Sequence, residues 1–221
     1  MKWLLGCLLG MIFSGVGAAT AADMTVLRYL DQDPGDPPYL TRILVTPDFM
    51  RMDSGEDDDD FVLLDRRQRQ VINIMRGNQL AMVFTPGPMP PKPANWKARL
   101  TTQQAAPGTQ RFSLSINKVV CNEGVAARRG APDAARAMAE LKAILAATQY
   151  RVWKDSPREM QHDCDLANQV WESGATLKLG LPLEEREFTG RTRQFESEIR
   201  QPLRPELFRV PAGLTAINAP S

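Results

Sequence analysis

The chain has 221 residues, 43% of them hydrophobic and 24% charged, with 27 Lys and Arg against 26 Asp and Glu. That length supports one sizeable core. A formal net charge of +1 excludes the basic footprint of a nucleic-acid-binding domain.

Residues 1–21 read as a cleavable signal peptide. Lys2 supplies a positive charge, Trp3 to Phe13 is apolar apart from the small Gly6, Cys7 and Gly10, and Ala19-Thr20-Ala21 fits the A-x-A pattern that signal peptidase admits. A retained membrane anchor is the alternative, since the stretch approaches bilayer-spanning length. The tapering small residues, with no Lys or Arg cluster after them, count against it. Leu4-Leu5-Gly6-Cys7 looks like a lipobox, but Met1, Lys2 and Trp3 before it are too few to form a hydrophobic region, which counts against that reading. Cleavage after Ala21 leaves residues 22–221 as a single domain, and loss of Lys2 takes the basic count from 27 to 26, level with the 26 acidic residues. The predicted location is the periplasm, with membrane contact peripheral at most.

From Met24 to Thr85 the pattern is strands separated by polar turns. Thr25 to Leu30, Tyr39 to Thr46, Phe49 to Met52, Phe61 to Leu64, Val71 to Met75 and Leu80 to Phe84 are β-prone runs. Turn residues such as Asp65-Arg66-Arg67-Gln68 and Arg76-Gly77-Asn78 bound them, as in an antiparallel meander. Residues 86–108 form a proline-rich connector, because Pro86, Pro88, Pro90, Pro91 and Pro93 cannot donate ladder hydrogen bonds. Trp96 pins that connector to the body.

Arg111 to Asn117 alternates, with Phe112, Leu114 and Ile116 on one side, which predicts a strand with one buried face. A helix follows from Pro132 to near Gln149, burying Ala134, Met138, Leu141 and Leu145 and pairing Arg136 with Glu140. A shorter helix starts at Asp163 and turns Leu166, Ala167 and Val170 inward. Leu177, Leu179, Leu181 and Leu183 then alternate, as do Phe195, Ser197 and Ile199. This order predicts an α+β fold: a curved antiparallel β-sheet, an open half-barrel, with helices covering its concave face.

Cys7 leaves with the signal peptide, so Cys121 and Cys164 remain, and an oxidising compartment favours their disulfide. The rival is a metal site of Cys121, Cys164 and His162, which lacks both a CxxC spacing and a second histidine. No metal and no cofactor is expected. The acidic run Asp53-Ser54-Gly55-Glu56-Asp57-Asp58-Asp59-Asp60 lacks EF-hand spacing and reads as a solvated, self-repelling hairpin tip. His162 is the single histidine, and neither a G-x-S-x-G elbow nor a phosphate-cradling glycine loop is present. These features make an enzyme the minority reading; a hydrolase would require carboxylates distant in sequence to converge, or a nucleophile near His162.

Four segments, in order, carry a family likeness: Phe49-Met50-Arg51-Met52-Asp53, Phe61-Val62-Leu63-Leu64-Asp65, Val71-Ile72-Asn73-Ile74 and Glu206-Leu207-Phe208-Arg209-Val210-Pro211-Ala212-Gly213-Leu214. Together they resemble, distantly, the LolA/LolB-type periplasmic lipoprotein-carrier superfamily. The resemblance extends over residues 24 to 217. It implies an open curved sheet wrapped around helices and an apolar cavity for acyl chains. The connector, the cysteine pair and the acidic tip are additions to that pattern.

The function expected from this is non-enzymatic binding of a lipid or acyl chain. Ile43, Val45, Phe61, Leu63, Met82, Phe84, Phe112, Leu114 and Ile116 are the candidate lining residues. A filled core at the same positions is the plain alternative. The second functional reading is an envelope protein-interaction or stress-sensing module with a protein partner and no lipid ligand.

Overall fold

A computed structural model describes residues 23–219. The signal peptide assigned to residues 1–21, together with Ala22, lies outside the described residues. Among those described, twelve strands form a single open sheet, accompanied by two α-helices, so the fold is α+β.

Strands β1 (Asp23–Gln32), β2 (Tyr39–Val45), β3 (Phe49–Asp53), β4 (Phe61–Asp65), β5 (Gln70–Met75) and β6 (Leu80–Phe84) form a meander, each antiparallel to the next. They coincide with the six predicted runs. A second meander holds β7 (Ala98–Gln104), β8 (Thr109–Ile116) and β9 (Val119–Ala127). After the helices, β10 (Leu181–Glu187) pairs with β9, and β11 (Thr192–Pro202) pairs with both β10 and β1. The two halves of the chain thus meet at the β1–β11 seam. Finally β12 (Thr215–Asn218) joins the free edge of β6 in parallel. The sheet is therefore mixed, where the sequence predicts a purely antiparallel one.

Other differences have local causes. β7 lies inside the segment assigned to the connector. The prolines between 86 and 93 give way to Arg99-Leu100-Thr101-Thr102, which has no barrier to pairing, although every residue of β7 stays exposed. Helix α1 spans Pro132–Asp155, well beyond Gln149, since no breaker intervenes before Ser156-Pro157. Glu140 pairs with Arg66 of the β4–β5 turn rather than with Arg136. Arg66 also bonds Asp133, so one guanidinium fastens the first and third turns of α1 to the sheet. The Leu177–Leu183 alternation is interrupted at Gly180, whose φ is +133° and where any Cβ would lie 2.0 Å from the Ala127 carbonyl oxygen. Residues Thr176–Leu179 form a tight helical turn and β10 starts after it. The second helix, α2, is one turn long, Asp163–Leu166, and runs into a wider turn at Ala167–Trp171.

The first half of the sheet is buried on both faces. Helix α1 covers one face, packing Ala134, Ala137, Met138 and Ile144 against Leu27, Ile43, Val45, Met50, Leu64 and Val71. The alternate residues Val26, Leu44, Phe61, Leu63 and Ile74 meet Leu207 and Phe208, delivered by the turn Pro205–Phe208. Burying that pair contributes roughly 1.5–3 kcal/mol per side chain. A third cluster joins Leu114 and Ile116 to Cys121, Cys164 and Ala167, where a Cys121–Cys164 disulfide ties β9 to α2.

Candidate functional site

A cavity of about 490 Å³ opens between α1 and the sheet. Alternation along each strand decides its walls. In β3, Met50 and Met52 point into it, while Arg51 turns to the opposite face. Ile43 of β2 and Val62 of β4 continue the apolar wall. From α1 come Met138, Leu141 and Lys142, whose i, i+3, i+4 spacing places them on one helix face. Leu177, from the turn before β10, closes the end. Three methionines, two from β3 and one from the facing α1, form an unbranched, polarizable lining that adapts to an irregular occupant.

The rim is charged. Arg193 of β11 makes two bonds of 2.7 Å to Asp31, which also accepts from Thr41 Oγ1 at 2.7 Å. Burial pushes the Asp31 carboxyl upward, but the Arg193 hydrogen bonds and charge, with Thr41 and Arg191, outweigh it and hold the group below the usual aspartate range. Beneath this pair, Tyr29 is fully buried and donates to the Pro182 carbonyl at 3.1 Å, and desolvation holds its hydroxyl in the protonated form. Glu187, at the end of β10, also lines the cavity. Desolvation raises its pKa, against the opposing charges of Lys142 and Arg191. A carboxyl biased toward neutrality beside an apolar wall is the kind of group that marks binding sites.

Ile43 and Phe61 are the predicted lining residues that border this cavity. Val45 is sealed in the core beside Met50 and Leu64, with Phe84 packed at the edge of that cluster. Met82 is half-buried on β6, opposite Asn73. Leu63 packs on the far side of the sheet with Leu207 and Phe208, in a cluster that also includes Phe61. Leu114 and Ile116 surround the disulfide. Phe112 lies elsewhere, on β8 with its ring tip against Gly124 of β9. Met50, Met52, Met138, Leu141 and Leu177 are lining residues that the sequence reading does not single out.

The acidic run is not a free tip. Asp57 bonds Arg42 at 2.8 Å and Arg204 at 2.9 Å, Asp59 accepts from Ser54, and Asp60 accepts the Arg76 backbone N–H. The Arg42 hydrogen bond, followed by that of Arg204, lowers the Asp57 pKa. These arginines offset the self-repulsion expected from sequence alone. Among the described residues, no group of three or more His, Cys, Asp or Glu is placed to hold a metal ion. The His162 ring packs against Phe188, with centroids 5.6 Å apart. Among the described residues, no helix is long and apolar enough to cross a membrane.

No family model and no curated protein matches the chain. Among solved structures, it is similar to two of PNGF-II, at 10% identity and TM-scores of 0.39 and 0.37. The alignments cover 90% of this chain and 32% and 31% of those chains, so it spans about a third of their length.

Proposed function

We propose that the protein is an exported, periplasmic binding protein of LolA/LolB type that holds an acyl chain or similar apolar ligand without catalysing a reaction. The observation that carries this reading is the cavity itself, with its methionine-rich lining and charged rim. Its volume falls within the range of about 300–1,000 Å³ usual for small-molecule sites. Each buried methylene of a chain contributes about 0.8 kcal/mol, so a chain of moderate length binds usefully even after its ordering entropy is subtracted. The disulfide supports an oxidising compartment.

The connector supports a half-barrel. Ten strand spacings separate β6 from β7, which is about 48 Å in a flat sheet. Residues 85–97, between those strands, extend about 43 Å as proline-rich chain. They do not take the straight path, since Trp171 Nε1 donates to the Pro90 carbonyl at 3.0 Å and Gly87 sits against Ala147 of α1. Such a strap reaches both edges when the sheet curls beneath it.

The test is uptake of a fluorescent fatty acid by delipidated protein. Saturable binding that oleate displaces is the expected result, and no uptake removes the reading. The second reading, an envelope protein-interaction module, draws on β7, which is exposed along its length with a free edge for strand addition. It predicts co-purification of a protein partner and no lipid.

A further inference from the structure

The ionisable groups that line the cavity differ in whether they have partners. Its cations are engaged. Arg193 is committed to Asp31 through two bonds of 2.7 Å, and Arg191 lies 3.8 Å from Asp31 and 3.6 Å from Asp33. Lys142 Nζ donates to the Asn168 carbonyl at 3.2 Å. Asp53 is held by Arg42 and Arg51. Two carboxyls of β10 are left over. Glu185 accepts from Asn122 Nδ2 at 3.3 Å. The Glu187 carboxyl has neither a hydrogen bond nor an ion pair among the described residues.

Glu185 and Glu187 are two apart on one strand, so their side chains stand on the same face. That face is the chamber side, because Glu185 pairs with Arg193 and Arg193 with Asp31 in one row across the sheet. The register adds a third acceptor. Glu187 lies directly opposite Asn122 of β9, whose side chain shares the face. Asn122 is 5% exposed, and its Oδ1 is buried with no donor among the described residues. Three acceptors short of donors therefore gather at one end of an apolar chamber. We infer that the ligand is an amphiphile whose hydrocarbon chain fills the chamber and whose head is a primary ammonium group, held by Glu187 and Glu185.

An ammonium has three N–H donors and no acceptor, which complements two carboxyls and an amide oxygen. Burying either charge alone is costly, and the cost falls when the two meet. Desolvation already biases Glu187 toward its neutral form against the charges of Lys142, Arg191 and Arg193, with Glu185 acting in the same sense as desolvation. A cation seated beside it restores the ionised form. An anionic head would face both glutamates, while the guanidiniums that could receive it are occupied by Asp31 and Asp33. This inference rests on the acyl-chain reading and assigns the head of the ligand.

Titration of the disulfide-bonded protein at pH 7 with decylamine, decanol and decanoate, each below its micelle concentration, tests it. Charge-assisted hydrogen bonds should make decylamine bind at least about tenfold more tightly than decanol, with decanoate weakest. Decyltrimethylammonium keeps the charge without N–H donors and should lose most of that advantage. In Glu187→Gln, decylamine should fall to the affinity that decanol shows for the same variant. Equal affinity for the amine, alcohol and acid, tightest binding of decanoate, undiminished binding of decyltrimethylammonium, or an amine advantage that survives Glu187→Gln overturns the head assignment and leaves chain binding standing. Failure of all four amphiphiles to bind overturns both.

Discussion

Arg51 Nη1 donates to the carbonyl oxygen of Leu207 at 3.1 Å, across 156 residues of chain. The same guanidinium is 1% exposed, bonds Asp53 at 2.6 Å and the Asp57 carbonyl at 2.9 Å, and lies 4.0 Å from the centre of the Phe61 ring. One buried cation therefore joins β3, the acidic loop and the C-terminal segment. Arg51→Ala should destabilise the fold by about 3–5 kcal/mol, because it leaves carbonyls and part of a carboxylate buried without a donor. Urea titration measures this; a loss under 1 kcal/mol, on the order of an exposed ion pair, would show the network to be incidental.

Filling the cavity should separate binding from stability. Met52→Trp adds volume where open space exists, so the melting temperature should hold or rise while affinity for a fluorescent fatty acid falls at least about tenfold, equivalent to some 1.4 kcal/mol. Unchanged uptake would place the ligand elsewhere.

The disulfide closes a loop with a sequence separation of 43. Cys121→Ala/Cys164→Ala should cost about 4 kcal/mol by the chain-entropy argument. Denaturation of the variant beside the oxidised and reduced wild type gives the value.

Two carboxyls should respond to pH in opposite senses. Asp31 is held below its ordinary value of 3.8 in the folded state, so its contribution to stability is present above that pH and is lost as pH falls. Asp31→Asn should cost about 3 kcal/mol at pH 7 by leaving Arg193 unpaired, and the deficit should shrink in acid. Glu187 is raised above 4.5, so its ionised form opposes folding at neutral pH and protonation relieves that opposition as pH falls. Glu187→Gln should therefore be more stable than wild type at pH 7 and indistinguishable from it below pH 4.5. Thermal melts of both variants from pH 3 to 8 display the two slopes.

The sequence makes β1 to β6 legible because each is short and bracketed by residues that favour turns. β9 is hidden by its hairpin. Ile116 pairs with Val119, leaving Asn117-Lys118 as a two-residue turn with φ of 49° and 76°. Such turns favour Asn-Gly, and Lys in a left-handed position gives no signal. The lining of the cavity is harder for a different reason. Phe61-Val62-Leu63-Leu64 is apolar throughout because β4 is covered by α1 on one side and by Leu207 and Phe208 on the other. Without alternation, nothing in the strand itself says which residues face inward, and the choice of Phe61 and Leu63 takes the parity opposite to that of Val62 and Leu64. Likewise, the rim depends on Asp31 meeting Arg193 across 162 positions, a pairing that no local pattern announces.

The β1–β11 seam imposes an order of events on a chain made from its N-terminus. Until Thr192–Pro202 arrives, β1 has one neighbour, β2, and offers the rest of its hydrogen-bonding groups to any passing strand. Assembly of the sheet must wait for a strand about 170 residues further along the polypeptide, which predicts slow, non-local folding and a nascent stage vulnerable to sticking. A helper that shields the flank of β1 during synthesis should raise the yield of native protein more than any measure that strengthens the finished molecule.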